Sequence, residues 1–100
     1  MEIDEVSHLL FGRGIRLPLA AWVLETANSG PFYQQQAADG IGAKAQYLRP
    51  ELQHLCDLGM IEQQDKAPGQ IRQMYTVDAE HPLWAIITTA VDSVALLKTR

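Results

Sequence analysis

The stretch from Phe32 to Val77 constrains the fold more than any other part of the chain. It reads as two short helical segments, the second ending in Leu52, Leu55, Leu58, Gly59, Met60 and Ile61, followed by a polar hairpin. Pro50 limits where the second segment can begin, because its ring collides with the carbonyl four residues back and it has no N–H to donate. The start is therefore expected between Ala45 and Arg49. From there Leu48, Leu52, Leu55 and Cys56 share one helical face, which leaves Gln46, Tyr47, Arg49 and Gln53 nearer the opposite side. Gly59 then closes the helix. Met60 to Gln64 and Ile71 to Val77 are expected to pair as antiparallel strands, with turn chemistry supplied by Lys66-Ala67-Pro68-Gly69.

The flanks are helical. Ile3, Val6, Leu9 and Leu10 recur at helical spacing behind Glu2, Asp4 and Glu5, whose carboxylates suit a first turn, so a helix is expected over about 3–11. Gly12 and Gly14 break it, and Pro18 fits the first turn of a second helix running to about Ala27, before a loop Asn28-Ser29-Gly30-Pro31. Phe32 to Asp39, rich in Gln and Ala, is expected to form the next short helix, with Gly40 ending it. His81-Pro82 opens a last helix over about 82–98, with His81 as a cap. Its apolar content is too broad for one stripe and implies burial on two sides.

The expected fold is therefore mostly α with a small β-hairpin, in one domain over 1–100. So short a chain buries only about two thirds of its unfolded surface, and a dimer interface between terminal helices would supplement its core. Ile3, Val6, Leu10, Trp84, Ile87, Val91 and Val94 are the residues expected to form it. No apolar run reaches the roughly 18 residues of a membrane span, and no leader precedes the acidic start, so a cytoplasmic location without membrane contact is expected.

Net charge is -4. Residues 1–39 carry two Arg against five acids, and residues 76–100 carry two bases against three acids. The middle is neutral, with Lys44, Arg49, Lys66 and Arg72 against Glu51, Asp57, Glu62 and Asp65. A nucleic-acid face would have to be assembled locally by turning these bases outward.

The stretch Ala37-Ala38-Asp39-Gly40-Ile41, then Leu48, Leu52, Leu55 and Leu58-Gly59-Met60-Ile61, then Arg72-Gln73-Met74-Tyr75-Thr76-Val77, resembles the winged helix-turn-helix of bacterial and archaeal transcription regulators. Within that group it is most similar to the arsenical-resistance-repressor-like branch, over about two thirds of the chain. The resemblance implies a dimeric repressor on double-stranded DNA, its second motif helix in the major groove and its wing on the flanking backbone. It assigns Gln46, Tyr47, Arg49 and Gln53 to base reading, since Arg pairs bidentately with guanine and Gln with adenine. Lys44, Lys66 and Arg72, with Arg13 and Arg16, become phosphate contacts, and Glu51 would bring a negative charge near the phosphates. Winged helices also serve as protein-docking modules without DNA, and that alternative stays open.

Other chemistry is not encoded. Cys56 is the single cysteine, on an apolar helix face, which suits a small core residue. His8, His54 and His81 are widely spaced, so neither a metal site nor metal sensing is expected. Ser7 and His8 are adjacent on a helix and point about 100° apart, which excludes a catalytic pair. Gly12-Arg13-Gly14 lacks the third glycine and preceding strand of a phosphate loop. Neither an enzyme nor a cofactor is expected.

Overall fold

The computed structural model describes residues 2–26 and 29–98. Helices α1 (Ile3–Phe11) and α2 (Arg16–Thr26) lead to a short strand β1 (Phe32–Tyr33), then to α3 (Gln34–Ile41) and α4 (Ala45–Asp57). Strands β2 (Ile61–Gln63) and β3 (Met74–Val77) form the hairpin, and α5 (Trp84–Lys98) closes the order. The fold is mostly helical with a small antiparallel sheet in the order β1-β3-β2. No helix among the described residues is long and apolar enough to cross a membrane. The expected end of the second helix at Ala27 and the loop residue Asn28 lie outside the described residues.

Local chemistry explains most boundaries. Gly12 adopts φ 74° after α1 and returns its N–H to the His8 carbonyl, a left-handed C-cap open to glycine at little cost. Ser7, fully buried, then fastens the corner: its hydroxyl donates to the Arg13 carbonyl and accepts the Leu17 amide at 2.9 Å. Gly42, at φ 69°, ends α3, and the turn through Ala43 to Lys44 leads straight into α4. The last helix starts at Trp84, two residues later than expected, and His81 braces the turn ahead of it, its Nδ1 accepting the Leu83 amide at 3.2 Å and its carbonyl the Trp84 amide.

Two sequence expectations shift. The helix expected from Phe32 starts at Gln34, because Phe32 pairs with Tyr75 and Tyr33 with Met74. Phe32 is held edge-on to Trp22, with centroids 5.6 Å apart, and stacked on Tyr75 at 5.5 Å. Tertiary packing of an aromatic residue outweighs the weak helical preference of two residues. Gly40 does not end α3; it lies inside it, where an added Cβ would come within 2.1 Å of Trp22 Nε1. The start of α4 at Ala45 falls within the expected range, and the helix continues through Pro50, its sixth residue, in the second turn.

The hairpin is shorter than expected. Ile61 opposes Val77, Glu62 opposes Thr76 and Gln63 opposes Tyr75, and one further bond runs from the Gln64 amide to the Met74 carbonyl at 2.9 Å. The tip is held by Gln70, whose amide donates to the Ala67 carbonyl while its side chain accepts the Ala67 amide. Gly69 takes φ 82° there.

The main core gathers Leu19, Val23, Phe32, Leu48, Leu52, Ile61 and Trp84 beneath α3 and the sheet, and Val6, Leu17 and Val94 form a second cluster between α1, α2 and α5. This corrects part of the expected dimer face. Val6, Trp84 and Val94 are buried within the single chain, and Ile3, Ile87 and Val91 are half-buried against it; of that set Leu10 alone is exposed, at 67%. The exposed apolar side chains on these helices include Leu9, Leu10, Phe11 and Ile86 instead.

Gly40→Ala sets two effects against each other. Alanine gains up to about 1 kcal/mol of helix propensity, whereas overpacking costs about 1–3 kcal/mol. Because the obstructing indole is itself pinned by Phe32, the clash is expected to dominate, with a net loss of about 1–2 kcal/mol by urea denaturation. Gain of stability would show that Trp22 swings aside.

Candidate nucleic-acid interface

Helix α4 has two faces of different chemistry. Leu48 and Leu52 are fully buried, and Leu55 and Cys56 pack partly against the core. Gln46, Tyr47, Arg49 and Gln53 are exposed on the other side, Tyr47 to 51%. The apolar spacing of the sequence therefore places all four expected side chains toward solvent. Gln53 is partly engaged, donating from Nε2 to Asp57 Oδ1 at 2.9 Å one turn on.

Glu51 departs from expectation. It is 3% exposed, turned away from the Gln46–Gln53 face. Arg16 grips it in a fork, Nε to Oε2 at 2.9 Å and Nη2 to Oε1 at 3.2 Å, and Arg13 Nε lies 3.6 Å from Oε1. His54 Nδ1 approaches Oε2 at 3.9 Å. A buried carboxylate requires such partners, since an unpaired charge out of water is very costly. The hydrogen bond to Glu51 raises the Arg16 pKa above its ordinary value, against the opposing effect of burial. Arg13 and Arg16, expected at phosphates, are thus committed to Glu51 on the inner side of α4, and the carboxylate expected near the phosphates is neutralised there.

The hairpin side is assembled by contacts that the sequence did not single out. Arg72 lies over the ring of Tyr33, 4.4 Å from its centroid. The next residue, Gln34, donates from Nε2 to the Ala45 carbonyl at 2.7 Å. These two contacts link Arg72, in the connection between the hairpin tip and β3, through neighbouring Tyr33 and Gln34 to the first turn of α4. Burial, and then Cys56, push the Tyr75 hydroxyl pKa up, with Arg49 opposing them. Lys66 is exposed near the hairpin tip, apart from this group. Lys44, Arg49 and Arg72 are all exposed, as are Gln46, Gln53 and Tyr47, residue types able to meet phosphate oxygens and base edges. No motif flags Tyr33; an aromatic residue just before a Gln-rich helix was the available signal.

Cys56 is half-buried, and its thiol pKa is raised, first by burial and then by the neighbouring Asp57 charge. The folded state therefore favours the neutral thiol. That contribution to stability is complete below the unfolded-state pKa and is lost as pH rises through the folded one. Among the described residues, no three His, Cys, Asp or Glu side chains converge to hold a metal.

Comparison of the chain with protein-family models, with curated proteins and with solved structures found no match.

Two measurements check this account. Glu51→Gln strands two guanidinium groups and is expected to cost about 2 kcal/mol in urea denaturation, less than the roughly 3–5 kcal/mol of a fully buried pair, because the Arg16 side chain is 36% exposed. A loss below about 0.5 kcal/mol would show that solvent supports the arginines adequately. Iodoacetamide at neutral pH is expected to alkylate native Cys56 more slowly than the urea-unfolded chain, because burial lowers the thiolate fraction and shields the sulfur; equal rates would contradict the upward shift.

Proposed function

We propose that the chain is a winged helix-turn-helix DNA-binding regulator of the arsenical-resistance-repressor-like kind, acting as a cytoplasmic homodimer that represses transcription by occupying an operator. In this reading α3 and α4 are the helix-turn-helix, α4 enters the major groove, and the β2–β3 hairpin is the wing. The observation that carries it is the division of α4: Gln46, Tyr47, Arg49 and Gln53 face solvent, while Glu51 is turned inward and paired. Arg49 reads a guanine, the two glutamines read adenines, and Lys44, Lys66 and Arg72 contact phosphates.

Dimerisation is supported by an apolar groove between α1 and α5, floored by Ala85, Thr89 and Ala90 and flanked by the protruding Leu10, Phe11 and Ile86. Two copies joined there would present two α4 helices to successive major grooves about 34 Å apart. The net charge of -4 keeps sequence-independent attraction small, so affinity depends on base contacts. The rival reading, a protein-docking module, draws on Ile71, which is 90% exposed at the hairpin.

Selection from random duplexes at low salt, followed by mobility shift, tests the proposal. The expected product is an inverted repeat, and Arg49→Ala is expected to weaken it by about 1–3 kcal/mol with discrimination lost at one base pair. Arg72→Ala should weaken all duplexes alike and flatten the salt dependence by about one phosphate contact. Failure to enrich any sequence with a folded dimer would reject DNA as the partner and leave the docking reading.

A further inference from the structure

The inner side of α4 borders a concave space that the proposed DNA contacts do not use. It has a volume of about 440 Å3, between α2, the C-terminal half of α4 and α5. Its walls are Leu19 and Ala20 from α2, Leu55 and Leu58 at the end of α4, Met60, and Ile87 from α5. The volume lies within the roughly 300–1,000 Å3 usual for small-molecule sites.

The charged groups at its edge decide what it would take. Glu51 is already held by Arg16 and Arg13, and the Asp57 carboxylate accepts the Gln53 amide. His54 stands at the edge with its side chain 55% exposed to water. An anion entering here would lose hydration while Arg16 and Arg13 stay engaged with Glu51, and a cation would meet only the water-exposed Asp57 carboxylate at the rim, a poor return for its lost hydration. An uncharged ring compound would replace water against six apolar side chains and incur no such cost.

We propose that this space is a binding site for an uncharged, largely apolar small molecule of two or three aromatic rings. The site is separate from the α1–α5 groove and from the exposed face of α4, so it stands or falls independently of the DNA reading.

The test uses the full chain and N-phenyl-1-naphthylamine, a neutral two-ring fluorophore with a pendant phenyl group. Saturable fluorescence enhancement at one site per chain is expected, with a dissociation constant on the order of 10 μM, and naphthalene should displace the probe. Leu58→Asn removes an exposed part of the wall and should weaken binding at least about fivefold. Ala20→Leu, which fills the space, should weaken it about tenfold or more if the variant folds by circular dichroism; Leu58→Asn carries the test if it does not. Ile86→Ser, in the α1–α5 groove, should leave binding unchanged. Absence of saturable binding to the folded chain would overturn the proposal. So would binding that Leu58→Asn leaves intact or that Ile86→Ser abolishes. A chain that binds the probe but selects no DNA sequence would keep this site and lose the regulator reading.

Discussion

The contact between Glu51 and Arg16 decides which way α4 faces. A carboxylate at 3% exposure is tolerable because a guanidinium from α2 meets both oxygens. The two residues are 35 positions apart in sequence, so the pair closes a long stretch of chain and joins the α1–α2 corner to the middle of α4. Hydrophobic burial alone leaves a helix free to roll by part of a turn, whereas a forked, directional pair fixes its rotation. Once Glu51 points inward, helical geometry sends Gln46, Arg49 and Gln53 outward.

The remaining supports act on that fixed helix. Ser7 locks the corner that delivers Arg13 and Arg16, through a hydroxyl that both donates and accepts. On the other side Gln34 holds the start of α4 by its Ala45 carbonyl, and Tyr33 offers its ring to Arg72. Isolated surface cations contribute little to stability, so the value of Arg72 on Tyr33 is positional: it restrains a long side chain near the helix that carries Lys44 and Arg49. Pro50, exposed in the second turn, leaves the Gln46 carbonyl without its usual donor four residues on.

Much of this was legible in the residues. The apolar spacing of Leu48, Leu52 and Leu55 fixed the outward set on α4, and Pro50 bounded the helix start. Pro68-Gly69 marked the hairpin tip, and the Ile3–Leu10 and Leu83–Leu97 periodicities placed the terminal helices. What stayed hidden depended on partners distant in sequence. Nothing beside Phe32 announces that Tyr75 will pair with it, so two strand residues read as helix. Charged residues are by default solvated, so Glu51 read as an outward charge until Arg16 and Arg13 were placed beside it. A helix apolar on two sides does not say which side meets its own chain, and Val6, Trp84 and Val94 proved to be internal. Gly40 and Gly42 differ only in surroundings: Trp22 crowds the first, and the turn needs the second.

The sheet order has a consequence for how the molecule behaves in a crowded solution. With β1 on one side and β2 on the other, β3 is the central strand, and its backbone is engaged along both edges. The open edges belong to strands of two and three residues, too short to template pairing with another chain. The β2 edge also carries exposed Glu62, with Asp65 and Lys66 beyond its end. The two-residue strand Phe32–Tyr33 therefore shields the first half of β3, the longest strand among the described residues, from edge-to-edge aggregation, while leaving the hairpin tip exposed.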